Sequence, residues 1–153
     1  MTEEHQLAPD VTLSGPDGDV RLADFRGQKL VLYFYPKDDT SGCTREAQDF
    51  SAFAADFEKA GTWVVGVSKD DASSHAKFRD KYDLSVRLLT DADGAVTEAF
   101  GVWGEKSMYG RTYMGIERAT FLIDRDGVVR QVWRKVKVPG HAEAVLDAAR
   151  ALP

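Results

Sequence analysis

Six consecutive apolar residues, Leu30-Val31-Leu32-Tyr33-Phe34-Tyr35, run without alternation into Pro36. Such a run predicts a strand covered on both faces, and that requires a sheet with helices on each side. Pro36 has no N–H and ends the strand. Beyond the polar stretch that follows, the period changes. Phe50, Phe53, Ala54 and Phe57 fall at i, i+3, i+4 and i+7, which makes one apolar helix stripe in a segment starting near Cys43. Thr40 or Ser41 can cap its start and Gly61 closes its end. Trp63-Val64-Val65-Gly66-Val67 reads as the next buried strand.

The remaining segments extend this pattern. Pro9 to Val20 reads as a strand, a Pro16-Asp17-Gly18 turn and a return strand, an N-terminal β-hairpin. Residues 72–82 form a polar helix carrying Ala76, Phe78 and Tyr82. Val86 to Leu89 is a short strand, and Ala95 to Phe100 a short helix after the Asp93-Gly94 turn. Thr120 to Ile123 and Val128 to Trp133 flank Asp124-Arg125-Asp126-Gly127, a hairpin signal. Residues 141–151 form a terminal helix with Ala144, Val145, Ala148 and Leu152 on or near one face. Residues 104–115, with Met108, Tyr109, Tyr113 and Met114, read as a solvated loop, or more sharply as a flap or contact surface. The order predicts an α/β fold in one domain over residues 1–153, with a central mixed β-sheet flanked by helices. Its central strands are parallel, because helices cross between them, and the hairpin is an antiparallel edge.

Composition narrows the function. The net charge of −5 argues against a general nucleic-acid or anionic-membrane surface. No apolar run approaches the ~20 residues that span a bilayer. Met1-Thr2-Glu3-Glu4-His5 is acidic and polar, unlike a secretory signal. One cysteine excludes an intramolecular disulfide and a Cys-rich zinc site, and a reducing cytoplasm is the simplest location. His5, His75 and His141 are dispersed, and nothing pairs them with that cysteine. The Asp38-Asp39 pair is expected to face solvent.

The lone cysteine, Cys43, sits in Tyr35-Pro36-Lys37-Asp38-Asp39-Thr40-Ser41-Gly42-Cys43-Thr44, at a strand-to-helix turn. Ligands in open sheets bind at the carboxyl ends of strands, where this turn falls. A thiol attacks as its thiolate, and the first helical turn favours the anion through free N–H groups and a positive dipole end. Gly42 lets backbone come close to a small ligand. The Thr40 hydroxyl can donate and accept. A peroxide needs such handling, because sulfur attacks one oxygen while the other leaves with growing negative charge. Each residue has a plainer role available: Cys43 as a small buried hydrophobe, Thr40 as a helix cap and Pro36 as a strand terminator.

The segment from Tyr33 to Ala47 resembles the active-site segment of the peroxiredoxins, and most closely the bacterioferritin-comigratory-protein or peroxiredoxin Q subfamily. Pro36, Thr40 and Cys43 match its Pro-x-x-x-Thr-x-x-Cys motif. Met114-Gly115-Ile116-Glu117-Arg118-Ala119-Thr120-Phe121-Leu122-Ile123-Asp124 resembles the segment that carries the family's active-site arginine. The resemblance implies a thioredoxin-like fold and a thiol-dependent peroxidase for hydrogen peroxide and organic hydroperoxides, with no metal, haem or flavin. It implies that Cys43 is the peroxidatic cysteine, that Thr40 hydrogen-bonds the peroxide and that Pro36 shields the sulfur. It also implies that Arg118 stabilises the thiolate and the charge on the oxygens, with Glu46 supporting the arginine. On position alone, Arg118 would be a surface residue at a strand start and Glu46 a first-turn acid complementing the helix dipole.

The chain departs from its relatives in one respect. Many peroxiredoxin Q members carry a resolving cysteine five residues after the first, where this chain has Gln48. Others carry it in the next helix, where His75 to Asp80 has none. The sulfenic acid must therefore be met by an external thiol: thioredoxin, glutaredoxin or a low-molecular-weight thiol. The local unfolding by which many relatives expose the sulfur is then unnecessary. A redox sensor or holdase with little turnover is the alternative. A monomer or weak dimer is expected.

Overall fold

A computed structural model describes residues 3–153; Met1 and Thr2 of the N-terminal polar stretch lie outside the described residues. The chain begins with the antiparallel hairpin β1 (Thr12–Gly15) and β2 (Gly18–Arg21). Strand β3 (Lys29–Phe34) is followed by helices α1 (Ser41–Ala52) and α2 (Ala54–Lys59), strand β4 (Thr62–Ser68), helix α3 (Ala72–Tyr82) and strand β5 (Arg87–Thr90). Helix α4 (Ala95–Ala99) precedes β6 (Trp103–Met108) and β7 (Arg111–Ile116), then β8 (Ala119–Ile123), β9 (Val129–Trp133) and α5 (His141–Ala151). Among the described residues, seven strands form one sheet in the order β2-β1-β5-β4-β3-β8-β9, while β6 and β7 pair only with each other. The pairs β3–β4 and β4–β5 are parallel, and β3–β8, β8–β9 and β1–β5 are antiparallel. This is the thioredoxin-like mixed α/β fold that the sequence implies.

Strand β3 lies at the centre and explains the unbroken apolar run. Leu30, Leu32 and Phe34 point into one core layer with Val67, Phe100 and Phe121. Val31, Tyr33 and Tyr35 point into the other with Phe50, Phe57, Phe78 and Val145. Side chains alternate across a strand, so a strand buried on both faces must be apolar at every position. Each of these large side chains contributes about 1.5–3 kcal/mol by leaving water. Tyr33 stacks on Phe50 at 4.7 Å and fills the space beside Gly66, where a Cβ would lie 2.6 Å from the Tyr33 ring.

Four details differ from the sequence reading. The stripe through Phe57 is carried by two helices, because the chain kinks at Phe53, whose N–H bonds to the Phe50 carbonyl in a tight turn before α2 starts. The core face of α5 is Ala142, Val145, Leu146 and Ala149, and Ala144 faces solvent. In α3 the buried residues are His75 and Phe78, and Ala76 is exposed. Residues 104–115 are no loop but most of the β6–β7 hairpin, in register from Trp103 opposite Ile116 to Met108 opposite Arg111. Its turn is Tyr109-Gly110, both with positive φ (52° and 76°), which matches the twist of a two-residue hairpin connection. Backbone pairing makes this ribbon while most of its side chains stay in water, so no apolar alternation marks it.

Candidate active site

The antiparallel register of β3 with β8 builds the site. Phe34 lies opposite Ala119, so Arg118 reaches the level at which the chain leaves β3 into the loop Tyr35–Thr40. That loop delivers Thr40, in extended conformation, to the N-terminus of α1. Cys43 follows in the first turn and is 2% exposed. The first helical bond runs from the Thr44 N–H to the Thr40 carbonyl at 2.8 Å. The N–H groups of Ser41, Gly42 and Cys43 therefore have no intrahelical acceptor and aim out of the helix end.

Arg118 connects the two segments. Its Nη2 donates to Cys43 Sγ at 3.3 Å and its Nη1 to Glu46 Oε1 at 2.7 Å. The surface arginine expected from position alone is not found: the Arg118 side chain is 17% exposed and the Glu46 side chain 1%. Glu46 stands one turn after Cys43 on the same face of α1, so both meet one guanidinium. Burial pushes the Glu46 carboxyl up to about 7, against the opposing pull of Arg118. Its Oε2 and the Tyr33 hydroxyl are buried without hydrogen-bond partners among the described residues. Burial first, and then the charges of Glu46 and Cys43, hold the Tyr33 hydroxyl well above its usual range, so it stays a neutral donor.

Gly42 has a specific reason to be glycine. A Cβ there would lie 3.1 Å from Arg118 Nη2, so the missing side chain makes room for the guanidinium beside the sulfur. Pro36 is partly buried at the end of β3. Thr40 is the N-cap residue, but its side chain does not cap; the hydroxyl donates to the Lys37 carbonyl at 2.9 Å. What it offers a ligand is an acceptor lone pair. Lys106 on β6 is near enough to feel the charges of both Arg118 and Cys43, and burial, then Arg118, lowers its pKa.

The sequence reading misplaced one acid and overlooked its partners. Asp39 is exposed, as expected, but Asp38 is only 6% exposed. Asp38 accepts bonds from Tyr35 Oη at 2.5 Å and Ser74 Oγ at 2.8 Å, and lies 2.7 Å from His75 Nδ1. Burial opposes its ionisation, but these partners together hold its carboxyl below the usual range. An acid so surrounded satisfies the rule that a buried charge is paired. His75 and Asp38 are 37 residues apart, and no local spacing announces the pair. Neither His75 nor His141 bonds to Cys43; His141 lies 2.8 Å from Thr120 Oγ1.

Residues 5–132 match the family model described as the AhpC/TSA family. The chain is 48% identical to the putative peroxiredoxin bcp of Coxiella burnetii over 94% of its own length and 96% of the relative's. It is 46% identical to peroxiredoxin Bcp of Bacillus subtilis over 95% and 93%. Among solved structures, the Xanthomonas campestris bacterioferritin comigratory protein, studied for alkyl peroxide reduction, superposes with a TM-score of 0.89 at 45% identity, covering 97% and 98% of the two chains. A thiol, an arginine and a buried carboxylate thus meet at a helix start in a fold shared nearly end to end with these proteins. The chain belongs to the AhpC/TSA family, as a peroxiredoxin of the Bcp or peroxiredoxin Q kind with a single cysteine.

Proposed function

We propose that Cys43 reduces hydrogen peroxide and organic hydroperoxides by a one-cysteine cycle, with Arg118, Thr40, Pro36, Gly42 and Glu46 as its supporting residues. The observation that carries this reading is the Arg118 guanidinium, which donates to the sulfur and to a buried carboxylate at once. The thiolate attacks the terminal peroxide oxygen. The S–O bond forms as the O–O bond breaks, and the departing oxygen takes a proton and leaves as water or an alcohol. Cys43 becomes a sulfenic acid. Arg118 is a preorganised cation where negative charge moves from sulfur to the leaving oxygen, and its ion pair with Glu46 fixes its position before the substrate arrives. The Thr40 lone pair accepts the hydroperoxide O–H and so orients the attacked oxygen. Pro36 keeps water from the sulfur, and Gly42 keeps the guanidinium close.

No second cysteine exists to close an internal disulfide, so an external thiol resolves the sulfenic acid and a second one releases the product disulfide. Thioredoxin, glutaredoxin and small thiols all have the required chemistry. The unpaired thiol suits a reducing compartment, the cytoplasm, and the chain acts as a monomer or weak dimer. The test is to treat the reduced protein with one equivalent of hydrogen peroxide and trap sulfenic acid with dimedone, while peroxide loss is followed with excess thiol. A dimedone adduct on Cys43, many turnovers with thiol, and neither in Cys43→Ser support the cycle. An oxidised Cys43 that never turns over would identify a redox sensor instead.

A further inference from the structure

We infer that Asp70, in the connection between β4 and α3, is a positioning residue for peroxide reduction: it fixes the peptide whose carbonyl orients the Thr40 hydroxyl. This rests on the peroxidase reading above. The Thr40 oxygen carries one proton and two lone pairs. A hydroperoxide that donates its O–H needs a lone pair there, so the Thr40 proton must be directed elsewhere. It goes to the Lys37 carbonyl, at 2.9 Å. That carbonyl belongs to the Lys37–Asp38 peptide, and the N–H of the same peptide donates to Asp70 Oδ2 at 2.8 Å. A trans peptide unit is planar, with its N–H and C=O pointing in opposite directions. Holding the N–H therefore sets the direction of the carbonyl, and through it the Thr40 proton.

Asp70 is itself held. The hydroxyl of the buried Ser68 donates to the same Oδ2 at 2.7 Å, and Thr90 Oγ1 donates to the Asp70 carbonyl at 2.8 Å. Ser68 ends β4 and Thr90 ends β5, so the acceptor is fixed to the sheet and not to the active-site loop. The loop meets it with its neighbouring residues anchored. The Asp38 carboxylate accepts from the Tyr35 and Ser74 hydroxyls and faces His75. Asp39 turns the chain back with φ 57°, a left-handed conformation uncommon for a residue with a Cβ. Lys81 Nζ and Tyr82 Oη donate to its carboxylate at 2.8 and 2.6 Å. That turn returns the Thr40 hydroxyl to the carbonyl three residues before it. Those contacts fix side chains on α3 and the loop, whereas Asp70 acts on the peptide plane itself. Without the Asp70 oxygen the plane can rotate. The Thr40 proton then loses its fixed acceptor and can swing toward the substrate, presenting a donor where the hydroperoxide needs an acceptor.

The experiment measures two rates on the reduced protein: Cys43 oxidation by hydrogen peroxide in stopped flow, and Cys43 alkylation by iodoacetamide, followed by intact mass. Iodoacetamide has no hydroperoxide proton to place, so it reports the thiolate and access to it. Asp70→Ala is expected to slow oxidation about 3- to 10-fold, no more than Thr40→Val does, and to leave alkylation within about twofold. Asp70→Asn keeps an acceptor oxygen and is expected to restore oxidation to within about twofold of the wild type. In a Thr40→Val background Asp70→Ala is expected to have no further effect, since its route to the substrate is already gone. Ser68→Ala loosens Asp70 without removing it and should show the same pattern at about 2- to 3-fold, which supplies the test if Asp70→Ala does not fold. Four results each overturn the positioning role and leave the peroxidase reading intact. These are wild-type oxidation in both alanine variants, equal loss of oxidation and alkylation, a defect in Asp70→Asn as large as in Asp70→Ala, and full additivity with Thr40→Val. A wild type whose Cys43 peroxide does not oxidise overturns the peroxidase reading, and the positioning role with it.

Discussion

Glu46 is ionised at a cost to the fold, and that cost has a definite pH signature. Its folded-state value of about 7 stands above the ordinary 4.5, chiefly because the carboxyl is buried. Below pH 4.5 the group is protonated in both states and contributes no pH dependence. Between 4.5 and 7 the folded protein holds a proton that the unfolded chain has released, so stability falls as pH rises. Above 7 the loss is complete. At 1.36 kcal/mol per pH unit it amounts to about 3 kcal/mol. Glu46→Gln keeps the shape and an acceptor for Arg118 but cannot ionise. Subtracting its stability from that of the wild type removes every other titration the two proteins share. Urea unfolding of both reduced proteins from pH 4.5 to 8 should therefore show the wild type losing about 3 kcal/mol relative to the variant. A flat difference would mean that Arg118 keeps Glu46 ionised across the range, and the burial argument would be refuted. A difference rising with pH would reverse its sign.

Four further outcomes follow from the geometry. Arg118→Ala should slow Cys43 oxidation by about 10²–10³-fold in stopped flow, because it removes the donor aimed at the sulfur. Thr40→Val, which loses the lone pair but little volume, should slow the same step by on the order of 10-fold while far-UV circular dichroism stays native. Gly42→Ala should separate rate from stability: the methyl displaces a guanidinium held 3.1 Å away and cuts oxidation about tenfold, while Tm does not fall, since alanine favours a helix. Lys29→Met should do the converse. Lys29 Nζ donates to the Ala149 and Leu152 carbonyls at the end of α5, so urea unfolding should show a loss on the order of 3 kcal/mol with the oxidation rate unchanged.

What the sequence discloses depends on whether a feature is local. The β3 run, the Pro36 stop and the first-turn position of Cys43 follow from neighbours in the chain, and the structure reproduces them. The Cys43–Arg118 contact spans 75 residues; it is legible only because two separated segments resemble one family's active site. The Asp38–His75 pair has no such marker. An Asp-Asp dipeptide in a polar loop reads as hydrated unless one knows that α3 lies across it. The β6–β7 ribbon escapes for a different reason, since its strands are held by backbone bonds and its exposed side chains follow no apolar period. The kink at Phe53 escapes because both helices continue the same stripe.

The β6–β7 ribbon also has a chemical consequence. Of the three methionines in the chain, two are on it, and Met108 and Met114 are 55% and 53% exposed. Thioethers take up oxygen from the same peroxides as the thiol, though without a site to accelerate them. Peroxide short of the amount that carries Cys43 on to sulfinic acid therefore leaves two kinds of scar of equal mass, one on Cys43 that a thiol erases and one on the ribbon that it does not. Sulfoxides at Met108 and Met114 would turn the exposed apolar surface of the hairpin polar. The ratio of lasting to erasable oxygen on one molecule would then record how often peroxide arrived faster than the thiol supply could clear it.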